Sequence, residues 1–122
     1  MVDASGAAVR DAMALFAAKP QVQIARKMVT PEGIDRLLSK TGFFGEVDFL
    51  SIDIDSFDYW LLDALTVTTA RVLVMEYNAS FGPERAVTLP NAPKVKGMPK
   101  AYYGASLAAL ERCARQIGRA HV

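Results

Sequence analysis

The sequence predicts an α/β fold in which a mostly parallel sheet is flanked by helices as a three-layer sandwich. Three observations predict it. Residues 47 to 54 and 71 to 77 are nearly continuous apolar runs of strand length, as expected of central parallel strands covered on both faces. Segments with helical spacing of apolar residues alternate with these runs. No internal repeat and no long linker interrupts the alternation.

Taken in order, residues 5 to 18 place Val9, Ala12, Met13 and Phe16 on one helical face, with Asp3 or Ser5 as the cap and Lys19-Pro20 as the stop. Val22 and Ile24 alternate with polar residues over 21 to 25, a weak strand signal. Thr30-Pro31 reads as an N-cap followed by proline at the first helical position, where its missing N–H costs nothing. Ile34, Leu37, Leu38 and Thr41 then make one face, and Gly42 is the expected stop. After the strand at 47 to 54, residues 57 to 65 turn helical with Trp60, Leu61, Ala64 and Leu65 together. Residues 79 to 103 hold Gly82, Pro83, Pro90, Pro93, Gly97 and Pro99, the composition of a long functional or mobile loop. The last helix, 106 to 117, turns Leu107, Leu110, Ala114 and Ile117 inward, with Gly118 at its end and a tail at 119 to 122.

Length and composition narrow the function. The 122 residues are room for one domain, 1 to 122. A chain that is 52% hydrophobic and 22% charged has the balance of a folded globule with a real core. A net charge of +1 gives no electrostatic footprint for nucleic acid or an anionic membrane. Cys113 is the single cysteine, which excludes an internal disulfide and a multi-cysteine zinc site. Flanked by Leu110 and Ala114, it reads as a buried structural thiol. The one histidine, His121, lies beside the last residue and leaves little for triad or His-metal chemistry. With no targeting segment and no apolar run of membrane-spanning length, the expectation is a cytoplasmic, soluble protein.

In open α/β sheets ligands sit at the carboxyl ends of the strands. Those ends carry Asp3, if Met1-Val2 closes a strand, then Asp53 and Asp55, then Glu76 and Asn78. Acidic groups therefore converge on one edge, where a cofactor or a divalent cation is held. The competing reading is that Asp3, Asp55 and Ser56 cap the helices that follow them. Asp53 resists that reading, because it ends a buried apolar run and precedes another apolar residue. Tyr102-Tyr103-Gly104 either lines a substrate pocket or packs the long loop. Trp60 reads as core, and Lys94, Lys96 and Lys100 as a solvated basic cluster.

The stretch VDFLSIDIDSFDYWLLDAL, then ARVLVMEYNASFGPERAVTLP and YYGASLAALERCARQIG, resembles the C-terminal two thirds of a class I S-adenosylmethionine-dependent methyltransferase of the FkbM-like group. The likeness spans most of residues 22 to 118, and SIDID and EYN are its most specific blocks. It implies a Rossmann-like fold, with SIDID ending the fourth strand. By that resemblance Asp53 and Asp55 match the acidic pair that faces the cofactor's methyl group and the substrate. Either one is the candidate catalytic base. Glu76 matches the acidic residue ending the fifth strand and, with Asn78 and Tyr103, is assigned to the substrate. Asp3 matches the acidic residue that binds the ribose hydroxyls, so Asp3 and Asp53 are the cofactor-binding candidates.

Departures from the family pattern are equally informative. The family's first strand, with its glycine-rich cofactor turn, falls upstream of Met1, and no Gly-x-Gly occurs in the chain. Ser56 stands where glycine is usual, and the closing last strand is not encoded either. The fold is therefore expected to be incomplete, with open strand edges, in a homo-oligomer or a fragment of a longer chain. A truncated methyltransferase-like protein is the first functional expectation. A non-catalytic remnant or assembly partner is the second. The third is a Mg²⁺-dependent phosphohydrolase using Asp53-x-Asp55, with hard oxygen ligands from Asp53, Asp55, Glu76 and Asn78.

Overall fold

The computed structural model describes residues 1–92 and 103–116. Among them the expected alternation is realised as an α/β fold with two small parallel sheets and four α-helices. The chain divides into two compact units, Met1–Thr30 and Pro31–Val122. Ile117, Gly118, the tail with His121, Tyr102 and the lysines at 94, 96 and 100 lie outside the described residues.

In the first unit β1 (Val2–Asp3) pairs in parallel with β2 (Ala25–Arg26), Val2 opposite Ala25 and Asp3 opposite Arg26. The second strand thus lies at the end of the segment expected to be extended, past the alternating Val22 and Ile24. Helix α1 (Gly6–Leu15) starts at Ser5, whose hydroxyl accepts the Ala8 N–H at 3.3 Å. Asp3 Oδ1 in turn accepts the Ser5 N–H at 2.7 Å, so Ser5 caps and Asp3 fixes the cap. Val9 and Ala12 are buried as expected, whereas Met13 is 52% exposed and Phe16 closes the helix at its C-cap. The Lys19 ammonium lies 5.7 Å from the Phe16 ring centroid, a cation–π distance.

The second unit opens with a 3-10 turn, Pro31–Gly33, and helix α2 (Ile34–Thr41) follows it with Gly33, not Thr30, at the N-cap. Gly42 ends α2 at φ +82°, a left-handed conformation that a Cβ disfavours. Ile34 and Leu37 are buried. Asp35 ties α2 to the segment after the next helix, accepting N–H groups from Thr66 at 2.9 Å and Val67 at 3.3 Å.

Two eight-residue strands, β3 (Gly45–Ile52) and β4 (Thr68–Met75), pair in parallel, with Leu50 opposite Leu73 and Ile52 opposite Met75. Helix α3 (Asp58–Ala64) makes the crossover, and helix α4 (Leu107–Gln116) follows the long loop. Leu62 from α3 and Cys113 and Ala114 from α4 form a buried cluster against which Leu73, Met75 and Tyr59 pack. Ala105, Ala109 and Leu110 extend it toward Ala86. Leu61 and Leu62 of α3 and Leu65 at its C-cap are each at most 2% exposed and anchor this helix in the core. Cys113 is buried, as its neighbours predict.

Two expectations are corrected here. Among the described residues the strands are covered on one face only: residues that alternate with the packed set leave Phe49 60%, Val72 52% and Val74 48% exposed. Helices α3 and α4 pack one face, and an apolar strand pattern specifies β-structure without specifying how many layers cover it. Leu107 is also 48% exposed, because it occupies the first turn of α4, whose buried stripe runs through Ala109, Leu110, Cys113 and Ala114. The described part of the loop after β4 carries regular pairing. Residues 87 to 89 run antiparallel to 104 to 106, with Ser106 N–H donating to Val87 O at 2.8 Å and Leu89 N–H to Gly104 O at 3.2 Å. Trp60, half-buried, donates its indole N–H to Leu89 O at 2.8 Å and pins that loop to α3.

Candidate functional site

Parallel pairing puts the carboxyl ends of β3 and β4 side by side, because Ile52 is opposite Met75. Each strand is followed at once by acidic residues, and the register brings them together. One carboxylate oxygen from each of Asp53, Asp55 and Glu76 lies within 4.8 Å of the others, and all three side chains are exposed. Among the described residues this is the acidic group whose spacing suits a cation.

The loop after β3 makes this geometry with a backbone that ordinary residues rarely adopt. Asp55 has φ +54° and Ser56 φ +114°. Aspartate tolerates the left-handed region with a modest cost, whereas a serine at +114° is strained. Glycine would adopt this backbone without the Cβ penalty. Ser56 is nonetheless 2% exposed and well held. Neither Asp55 nor Ser56 caps α3, whose N-cap is Phe57 with no side-chain cap bond, so the capping reading of these two residues is replaced.

Asp58, in the first turn of α3 and 1% exposed, holds the loop instead. Its Oδ1 accepts the Ile54 N–H at 3.1 Å and its Oδ2 accepts the Ser56 N–H at 3.3 Å. Burial pushes the Asp58 carboxyl above the usual carboxylate range, aided by the charge of Asp53 and opposed by the N–H groups of Ile54, Asp58 itself and Ser56. Glu76 is also pushed up, first by loss of solvation and then by the negative charges of Asp53, Asp58 and Asp55. Within the group, the negative charges of Asp53 and Asp55 therefore act on Glu76 in the direction that favours its protonated form.

The remaining expected site residues are placed differently. Asn78, expected to face the substrate, is 1% exposed and its side chain bonds within the fold. Its Oδ1 accepts the Ser80 N–H at 2.9 Å, starting the 3-10 turn Ala79–Phe81. Its Nδ2 donates to Tyr103 O at 2.9 Å, and its backbone N–H donates to Ala105 O at 2.8 Å. Tyr103 is half-buried and meets Asn78 through its carbonyl. Asp3 belongs to the first unit, where it fixes the α1 cap. The residue that the sequence reading missed is Asp58. Its signal was an aspartate three positions after Asp55 at a helix start, which reads as routine dipole compensation.

No family model matches the chain, and no curated protein or solved structure matches it.

Proposed function

We propose that this chain is a class I S-adenosylmethionine-dependent methyltransferase-like protein of Rossmann-like ancestry, whose acidic loop 53–56 faces the cofactor. The observation that carries the reading is the convergence of Asp53, Asp55 and Glu76 at the carboxyl ends of two neighbouring parallel strands, the edge where α/β sheets bind ligands. The donor set fits one end of the group. Three exposed carboxylates this close together are complementary to a sulfonium. The other end has no counterpart among these residues, because the chain contains no Gly-x-Gly turn. In this reading a second copy of the chain, or a further part of a longer protein, completes the pocket.

Bound there, S-adenosylmethionine supplies an activated methyl group. The chain's own residues orient the acceptor and hold its proton. Asp53 or Asp55, both exposed at the sheet edge, serves as the base for an oxygen or nitrogen nucleophile, and positioning accounts for most of the rate. Glu76, close to Asp53 and Asp55, is assigned to the acceptor in this reading. No helix among the described residues is long and apolar enough to cross a membrane, and the same reading makes the protein cytoplasmic.

A second reading has its own support. Three mutually close carboxylate oxygens are hard ligands of the kind Mg²⁺ takes, as in a phosphohydrolase built on Asp53-x-Asp55. Asn78 is not available to that ligand set, being engaged with Ser80 and Tyr103.

Calorimetric titration of S-adenosylhomocysteine, with mass by light scattering on the same sample, tests the first reading. Binding at about micromolar affinity (roughly −8 kcal/mol) is expected, lost in Asp53→Ala. No binding at millimolar ligand overturns it, and Mg²⁺-dependent release of phosphate from a generic ester then establishes the second.

A further inference from the structure

We propose that Asp58 is the positioning residue of the acidic site: its buried carboxylate holds Asp53 and Asp55 in register with Glu76 through the backbone between them. The inference rests on the reading of loop 53–56 as the cofactor-facing loop. The two amides that Asp58 accepts, Ile54 and Ser56, are the immediate neighbours of Asp55 on either side, and Ile54 also follows Asp53. Holding the peptide units 53–54 and 55–56 restricts the torsions of Ile54 and Asp55 that lie between them, and Asp55 sits at φ +54° with Ser56 at +114°. Without an acceptor for those N–H groups, both residues relax toward negative φ, and the Asp53 and Asp55 side chains turn away from Glu76. No glycine eases the turn, so a side chain must do what a glycine would do by conformational freedom. Asp58 is suited to it because it is buried and carried by α3, whose Leu61 and Leu62 are anchored in the core. The loop is therefore held by a rigid element, with a charged acceptor that makes stronger bonds than a neutral one.

Amide hydrogen exchange by NMR on the full chain tests this directly, with Leu61 and Leu62 as internal controls. In Asp58→Ala, exchange at Ile54 and Ser56 is expected to accelerate by about tenfold or more. Leu61 and Leu62 should stay within about twofold, as amides that open only with the helix. Asp58→Asn keeps one carbonyl acceptor, so it should release one of the two loop amides and keep the other. S-adenosylhomocysteine affinity should fall by about tenfold in Asp58→Ala and recover in part in Asp58→Asn. The proposal is overturned if the loop amides do not change, or if they accelerate only in step with Leu61 and Leu62. It is also overturned if they are released while affinity is untouched. Should the alanine variant not fold, the one-amide signature in Asp58→Asn decides. If the wild-type chain does not bind S-adenosylhomocysteine at all, the methyltransferase reading fails by itself. The exchange pattern then still tells whether Asp58 sets the carboxylate geometry.

Discussion

The ends of β3 and β4 lie side by side, yet they are built on opposite principles. After β4 the chain turns on Asn78, which is buried and spends its side-chain amide on Ser80 and Tyr103 and its backbone N–H on Ala105. Every bond there joins one part of the fold to another. After β3 the chain turns on Asp55 and Ser56 at positive φ, with two exposed carboxylates and a third across the strand gap. That turn carries strain and like charge and gives the fold little in return. Such departures from local preference concentrate where function requires them. The difference separates an end held by bonds within the fold from one that carries backbone strain and exposed like charge.

Removing Asn78 is the severest way to test this contrast. Asn78→Ala leaves the Ser80 N–H and the Tyr103 carbonyl without their partner in a buried setting, and it loosens residues 103 to 105 from β4. A loss of about 3 kcal/mol is expected by denaturant unfolding, with S-adenosylhomocysteine or metal affinity changed only through folding. If stability survives but binding is lost, Asn78 belongs to the site and the division between the two ends is wrong.

Ser56→Gly probes the other end, with the opposite sign. Glycine adopts φ +114° without a Cβ penalty, and relief of that strain is expected to raise stability by about 1 kcal/mol. Thermal unfolding measures it. A destabilised variant would mean that the buried Ser56 side chain contributes more than its backbone conformation costs.

The parts of this structure legible in the sequence are those that depend on periodicity and on where apolar runs stop. Residues 47 to 54 and 71 to 77 read as strands because their apolar character is continuous, and the acidic residues at their ends followed at once. Asp53, Asp55 and Glu76 were therefore visible as a group before their 4.8 Å spacing was. What was not visible depends on long-range context. The same pattern that predicts strands says nothing of the face carrying Phe49, Val72 and Val74, which is exposed. Burial of that face depends on another layer, and strand propensity is indifferent to it. Met13 and Leu107 sit at apolar helical positions and are exposed because the buried stripe of each helix is narrower than its apolar face. Asp58 escaped notice because an acid in a first helical turn is common, and only the three-dimensional turn shows it reaching back to Ile54 and Ser56. Asn78 shows the converse: beside acidic residues in the sequence it reads as a ligand, and only the fold shows its side chain bonded to Ser80 and Tyr103.

The smallest effect expected is also the most specific to the charge distribution. Glu76 has its carboxyl pushed above the ordinary value of 4.5 by lost solvation and by Asp53, Asp58 and Asp55. An acid whose folded-state pKa is raised binds its proton more tightly when folded. Its stabilising contribution is complete below the unfolded value and is lost as pH rises through the folded one. Glu76→Gln is neutral at every pH, so it should exceed the wild type at pH 7 by about 0.5 kcal/mol, a small figure because the side chain is exposed and screened. The advantage should shrink on acidification and vanish below about pH 4. Paired thermal melts at the two pH values measure it. A wild type that is the more stable at neutral pH would show Glu76 paired with a positive group rather than repelled by the loop. If Mg²⁺ alone erases the advantage at pH 7, the repulsion is being relieved by a bound cation, and the metal-dependent reading gains over the sulfonium one.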